Sequence, residues 1–269
     1  MPLPHPFRKS SPPIPDTIKP KSHFWGVVRA FVPLLIIAMG VFVFYNFPAL
    51  KDRVTYTVHK PKLGNTGLLP ASTRAKSAIP GSIPVGSSSD CGKPIPYDAN
   101  GNPKQICDGY VYIPKIHVAA PIVFPSSPSE AVINDALLKG VLHYPGTAEP
   151  GQKGNVFLTG HSSYYWWVNS DYKFVFTLVP QLTYGDEIII YNKGIRYTYK
   201  VSERREVGPE ATDVLRPTSD PVVTLSTCVP LGTAYRRMII RAKQTSPEPS
   251  SARPSSGDEV TTGRLPGVR

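Results

Sequence analysis

A lone thiol at the end of a β-rich stretch is the first group in this chain that could do covalent chemistry. Cys228 closes the run Val222–Cys228, the turn-forming VPLGTA follows, and Tyr235–Ala242 is a second such run, so the pair reads as a hairpin. Side chains alternate along strands, which puts Val223 and Leu225 on one face and Thr224, Ser226 and Cys228 on the other. On the return strand Met238, Ile240 and Ala242 form the apolar face, leaving Arg237, Ile239 and Arg241 opposite. Arg237 is therefore expected beside Cys228, with Arg236 as the alternative should a bulge reverse the parity. An unassisted thiol, pKa about 8.5, is only a few per cent thiolate at neutral pH, and no helix start follows Cys228 to lower it. A neighbouring cation must help. Arg237 or a histidine could supply it, and a planar, permanently charged fork could also steady the oxyanion of a tetrahedral intermediate. The bland alternatives are a cysteine packed as a small hydrophobe and an arginine solvated at the surface.

Six histidines are available. His5, His23 and His59 fall in the first quarter of the chain, His117 in a turn, and His143 in a loop before Tyr-Pro. His161 directly follows the apolar strand Val156–Thr159, after Gly160. His117 and His143 are read as structural, with His143 the second candidate for a general acid, since such a group must reach the reacting atom.

These groups need a scaffold of short strands. Residues 109–124, GYVYIPKIHVAAPIVF, read as two β runs parted by a turn around Lys115, with Pro121 marking an edge or irregular position. Ser127 or Ser129 could cap a short helix over Glu130–Lys139, where Val132, Ala136 and Leu137 recur at helical spacing. Residues 140–155 read as a loop dense in Gly and Pro, and a helical turn is expected near the end of 162–182. Strands at Glu187–Tyr191 and Ile195–Val201 meet at Asn192-Lys193-Gly194, and a loop over 202–220 precedes the Cys228 strand. Seven or eight short strands with little helix define an all-β class, a closed or nearly closed barrel. A barrel of that size is filled by side chains, so its chemistry must lie at the rim or on an outer face.

The residues TLSTC at 224–228, followed by a loop and an Arg-led strand, resemble the signature of sortases, the cysteine transpeptidases of bacterial cell surfaces. GNVFLTGHSS at 154–163 is similar to the family's Gly-Asn, apolar strand, Gly-His pattern, and the likeness extends from about Tyr110 to Lys243. The resemblance implies an eight-stranded barrel with Cys228 as nucleophile and acyl-thioester carrier, His161 as general acid and base, and Arg237 as stabiliser of oxyanion and substrate. Thr227, next to the nucleophile and matching the motif, is expected to orient the site or meet the substrate, with packing as the bland alternative. The implied partners are proteins bearing an LPxTG-like sorting signal and an amine acceptor, either a peptidoglycan precursor or a pilin lysine. No cofactor and no metal are expected. Two features depart from the family pattern: Ser162-Ser163 stand where many sortases have Arg soon after the histidine, and Tyr164-Tyr165-Trp166-Trp167 follow. That aromatic cluster is expected to cover the barrel, with lining of a peptide groove or contact with glycan as the other readings. The stalk has no Asp-Pro-aromatic lid motif, so a general-purpose rather than pilin-polymerising type, of class D or E, is expected.

The rest of the chain organises around that domain. Lys plus Arg number 30 against 19 Asp plus Glu, a net +11, yet no aromatic interleaving suggests a nucleic-acid module; an anionic envelope is the expected neighbour. Residues 1–23 form a basic, Pro-rich tail and 24–47 an apolar run long enough to cross a bilayer. That run exceeds the usual signal-peptide core and no small-x-small cleavage site follows it. The expectation is an uncleaved single-pass anchor, its amino terminus cytoplasmic because the resemblance implies an external catalytic domain. A Pro/Gly/Ser-rich stalk (48–108), the barrel (109–244) and a tail of disordered composition (245–269) complete the organisation. On the oxidising side, Cys91 and Cys107 are close enough in sequence to close a disulfide hairpin, the alternative being two free thiols. A papain-like hydrolase would place its cysteine before its histidine and on a helix. A catalytically silent tethered barrel that binds wall components is the remaining alternative.

Overall fold

The computed structural model describes residues 23–58, 103–165, 167–255 and 264–266. The chain divides into two units, one ending at Phe42 and the other beginning at Val43. Helix α1 spans His23–Val58, and its side chains from Phe31 to Phe44 are exposed. Among the described residues, no helix is long and apolar enough to cross a membrane. The basic tail, Cys91 and most of the stalk lie outside the described residues.

Residues 110–246 form a closed barrel of eight strands. They are β1 (Tyr110–Ile113), β2 (Val118–Val123), β3 (Val141–His143), β4 (Gly154–Thr159), β5 (Glu187–Asn192), β6 (Ile195–Val207), β7 (Pro221–Val229) and β8 (Arg236–Ser246). Around the barrel the order is β1-β2-β3-β4-β7-β8-β6-β5, so the all-β, eight-stranded architecture read from the sequence is the one observed. Val111, Ile113, Val156, Leu158, Val223, Leu225, Met238 and Ile240 fill the interior.

The outer face of β4, β7 and β8 is covered as well. Helix α2 (Glu130–Leu137) lays Ile133, Ala136 and Leu137 into a cluster with Phe157, Val214, Leu215, Cys228 and Ile239. Burial on both faces explains why all nine residues of β7 are buried and why its sequence is apolar or hydroxyl-bearing throughout. Buried polar groups there look for partners inside the protein, and Ser226 Oγ alone among the β7 hydroxyls has none among the described residues. Thr224 Oγ1 donates to Asn155 Oδ1 at 2.7 Å, and Asn155 Nδ2 donates to the Val214 carbonyl at 2.8 Å.

The β5–β6 turn is fixed by backbone conformation. Lys193 and Gly194 both have positive φ, 54° and 75°, the signature of a tight hairpin turn. Asp108 accepts both turn amides at 3.0 Å. The ordered domain starts earlier than residue 109, because Ile106 and Cys107 are buried against Tyr110, Tyr112 and Ile189.

Three elements differ from the sequence reading. Val141–His143, read as loop, is β3, a three-residue strand too short to display a period. Ser202–Val207, also read as loop, prolongs β6 beyond a register shift between Val201 and Glu203; its residues 202–206 are all polar and carry no alternation. Past residue 244, β8 continues to Ser246 and Arg253 bridges to Gln152.

Candidate active site

Two neighbouring ladders deliver the candidate residues. Strand β7 pairs antiparallel with β8 in unbroken register, which sets Cys228 directly opposite Arg237 and Val229 opposite Arg236. The bulges lie on the other side of β8, against β6, so the parity that favours Arg237 holds. Arg236 turns outward, half exposed, and its Nη2 donates to the Glu206 carbonyl at 3.3 Å.

On its other edge β7 pairs parallel with β4, Thr159 beside Ser226. The pairing continues past the named strand, for Gly160 N donates to the Ser226 carbonyl at 3.2 Å and Thr227 Oγ1 donates to the Gly160 carbonyl at 2.9 Å. His161 follows Gly160 directly, one residue beyond that contact. Gly160 is required by packing: a Cβ there would lie 2.9 Å from Phe176 Cδ2 and 3.0 Å from Val175 Cγ1. Phe176 N in turn donates to the His161 carbonyl at 2.8 Å. The imidazole is thus aimed by its backbone on both sides.

All three groups are buried, Cys228 to 3% exposure and His161 and Arg237 to 1%. Among the described residues neither His161 nitrogen has a hydrogen-bond partner, and the Tyr164 ring lies 4.4 Å from the imidazole. Burial pushes the His161 pKa down to about 4, because a charged ring loses its hydration and gains no counter-charge. At neutral pH the resting imidazole is therefore neutral. Arg237 donates from Nε to the Pro266 carbonyl at 3.1 Å and from Nη1 to the carbonyls of Ala234 and Arg236, at 2.9 and 3.2 Å. Among the described residues its Nη2 has no partner. Burial lowers the Arg237 pKa, opposed by the neighbouring Cys228.

The remaining expected residues are placed as follows. Thr227 is 1% exposed, and its hydroxyl donates to the Gly160 carbonyl, a bond that ties β7 to the His161 segment. The His143 Nε2 lies 2.8 Å from the Ala148 carbonyl and 3.3 Å from Thr147 Oγ1, and burial lowers its pKa. His143 aligns with Leu158 of β4, which pairs with Leu225, three residues before the thiol. His117 caps a 3-10 turn in the left-handed conformation, φ 51°. Tyr164, Tyr165 and Trp167 form a ring ladder outward from His161, with Tyr165 and Trp167 stacked at 4.6 Å; Trp166 lies outside the described residues. Leu265 and Pro266, which composition assigned to a disordered tail, are buried at the site.

A family model described as a sortase domain matches residues 111–245. The chain belongs to the sortase family. Sortase D of Bacillus subtilis (strain 168) is 26% identical over 221 residues, covering 81% of this chain and 99% of that relative. Among solved structures, sortase C-1 from Actinomyces oris is 30% identical, covering 51% of this chain and 72% of its own, with a TM-score of 0.43. A Clostridium perfringens sortase D5 transpeptidase is 28% identical over 53% of this chain and 84% of its own, also at 0.43. As a sortase the chain is a cysteine transpeptidase, which acts through an acyl-enzyme.

Arg237→Lys tests the guanidinium. An ammonium keeps the charge but cannot reproduce the fork that serves three carbonyls and still leaves Nη2 free. Peptide ligation should fall about 10²-fold in kcat/KM, while Arg236→Lys should change it less than about twofold, on the pattern for exposed pairs. Equal losses in the two variants would exclude the assignment.

Proposed function

We propose that this sortase cleaves LPxTG-like sorting signals through a thioester on Cys228 and transfers the acyl group to an amine of the cell wall or of a pilin. The observation that carries the reading is the register that sets Cys228 opposite Arg237, with His161 next to Gly160, which is hydrogen-bonded to Ser226 and Thr227 of β7. In the first half-reaction the Cys228 thiol passes its proton to His161, and the sulfur attacks the peptide carbonyl. Arg237 Nη2 faces the oxyanion. The tetrahedral intermediate collapses as the new imidazolium gives that proton to the leaving amine, which departs and leaves the thioester. In the second half an incoming amine attacks the thioester, His161 takes its proton and returns it to the sulfur. Thr227 acts as a positioning residue for the His161 segment.

The setting follows the same reading. Residues 24–47 anchor the chain in the membrane with the barrel outside; the apolar composition of that run and the exposed Phe31, Leu34, Leu35 and Ile36 support this. The basic stalk holds the domain against an anionic envelope. Cys91 pairs with Cys107, supported by Cys107 being disulfide-bonded while Cys228 is free. The class D assignment is supported by the sortase D relative.

The test is incubation of the full-length protein in detergent with a library of LPxTG-like peptides and an amine acceptor such as triglycine. A ligated product and a hydroxylamine-sensitive adduct on Cys228 are expected. Failure to cleave or ligate any peptide, with the protein folded, would leave a silent wall-binding barrel as the better account.

A further inference from the structure

The guanidinium assigned to a substrate carbonyl already holds one, and the carbonyl belongs to this same polypeptide. Pro266 O accepts from Arg237 Nε at 3.1 Å, and one residue earlier Leu265 N donates to the Pro209 carbonyl at 2.7 Å. Leu265 is 1% exposed, in the same apolar cluster as Cys228, Ile133, Ala136, Leu137 and Leu215. Pro266 is buried too, whereas Arg264 is exposed. One backbone amide and one backbone carbonyl are engaged at neighbouring residues, and one side chain fills an apolar hole. This is how a groove recognises an extended peptide. The occupant sits on Arg237, the cross-strand partner of the nucleophile.

We propose that Arg264–Pro266 is an intramolecular peptide ligand of the active site, which occupies the place of the incoming peptide and shields Cys228 until it is displaced. The proposal rests on the substrate reading above, since Leu265-Pro266 repeats the opening pair of an LPxTG-like signal. It adds that the enzyme is regulated by competition with its own segment. The backbone contacts of Leu265 and Pro266, to a loop carbonyl and to Arg237, distinguish a ligand from a fixed part of the core. Substrate binding then carries a penalty set by the closed-to-open ratio.

The test measures the accessibility of Cys228 rather than turnover. The full-length protein in detergent, its Leu265→Ala variant and a truncation ending at Ser255 are treated with methyl methanethiosulfonate, and modification of Cys228 is timed by intact mass. Both altered proteins should react about tenfold faster than the parent or more. A synthetic peptide Arg-Leu-Pro-Gly-Val-Arg, added to the truncated protein, should restore protection, and the same peptide with Asp for Leu should not. Equal rates in all three proteins overturn the proposal. So does fast modification that the peptide fails to slow, which would make the segment a structural cap. If the truncated protein does not fold, Leu265→Ala with the two peptides gives the same decision. Loss of protection in a protein that ligates no peptide would sink the substrate reading and leave the shielding intact; unchanged protection in one that ligates well would do the reverse.

Discussion

Cys228→Ala should abolish thioester formation and ligation, with kcat/KM down by at least about 10⁴-fold, because removing the nucleophile of a covalent mechanism leaves only binding and electrostatic assistance. No neighbour can substitute. Ser226 lies on the same face but is 1% exposed two residues back along β7, and Thr227 points to the other face with its hydroxyl bonded to Gly160. The fold should survive, since the change removes one sulfur from a cluster that retains Phe157, Leu215 and Ile239; the cost is expected to be about 1 kcal/mol. Intact mass after mixing with peptide, together with a melting curve, checks both parts. An acyl adduct on the alanine variant, or ligation within tenfold of the parent, would end the assignment.

His161→Gln should lower kcat by about 10³-fold and also change how stability depends on pH. Burial holds the His161 pKa at about 4 in the folded protein, below its ordinary value of 6.5, so between those values the unfolded state binds a proton that the folded state refuses. The stability associated with the neutral ring is fully present above pH 6.5 and is lost as pH falls towards 4, a difference of about 3 kcal/mol. The glutamine variant lacks that dependence, whereas His143, whose pKa burial also lowers, contributes to both proteins and cancels. Urea unfolding at pH 7.5 and pH 4.5 should therefore show the parent losing about 2–3 kcal/mol more than the variant. Parallel losses would mean that His161 is not held neutral, and the proton route from Cys228 would need another acceptor.

Much of the site was legible because strands write their geometry into alternation. The parity of Val223, Leu225 and Cys228 against Met238, Ile240 and Arg237 is a local property, and one regular hairpin carried it into three dimensions. His161 was legible through the Gly-His pattern, while the reason for the glycine, contact with Phe176 and Val175, depended on residues fifteen or more positions away. The loop reading failed where tertiary pairing alone makes a strand: β3 is three residues long, and the far end of β6 pairs through polar side chains, with Arg241 bonded to Glu203 at 3.2 Å. Thr227 was expected to orient the site or meet the substrate because of where it stands in the motif, and its hydroxyl is committed to the Gly160 carbonyl. Leu265-Pro266 was lost in a Ser/Pro/Gly-rich background, where one apolar residue gives no periodicity and only a partner surface reveals its use.

Cys228 stands on a strand bordered by partners on both edges and covered on both faces. Its amide protons belong with those that exchange with solvent only through opening of the whole barrel. Such an enzyme has little room for a partly loosened form that has lost its chemistry but kept its shape, so catalytic competence and cooperative melting should disappear together on heating.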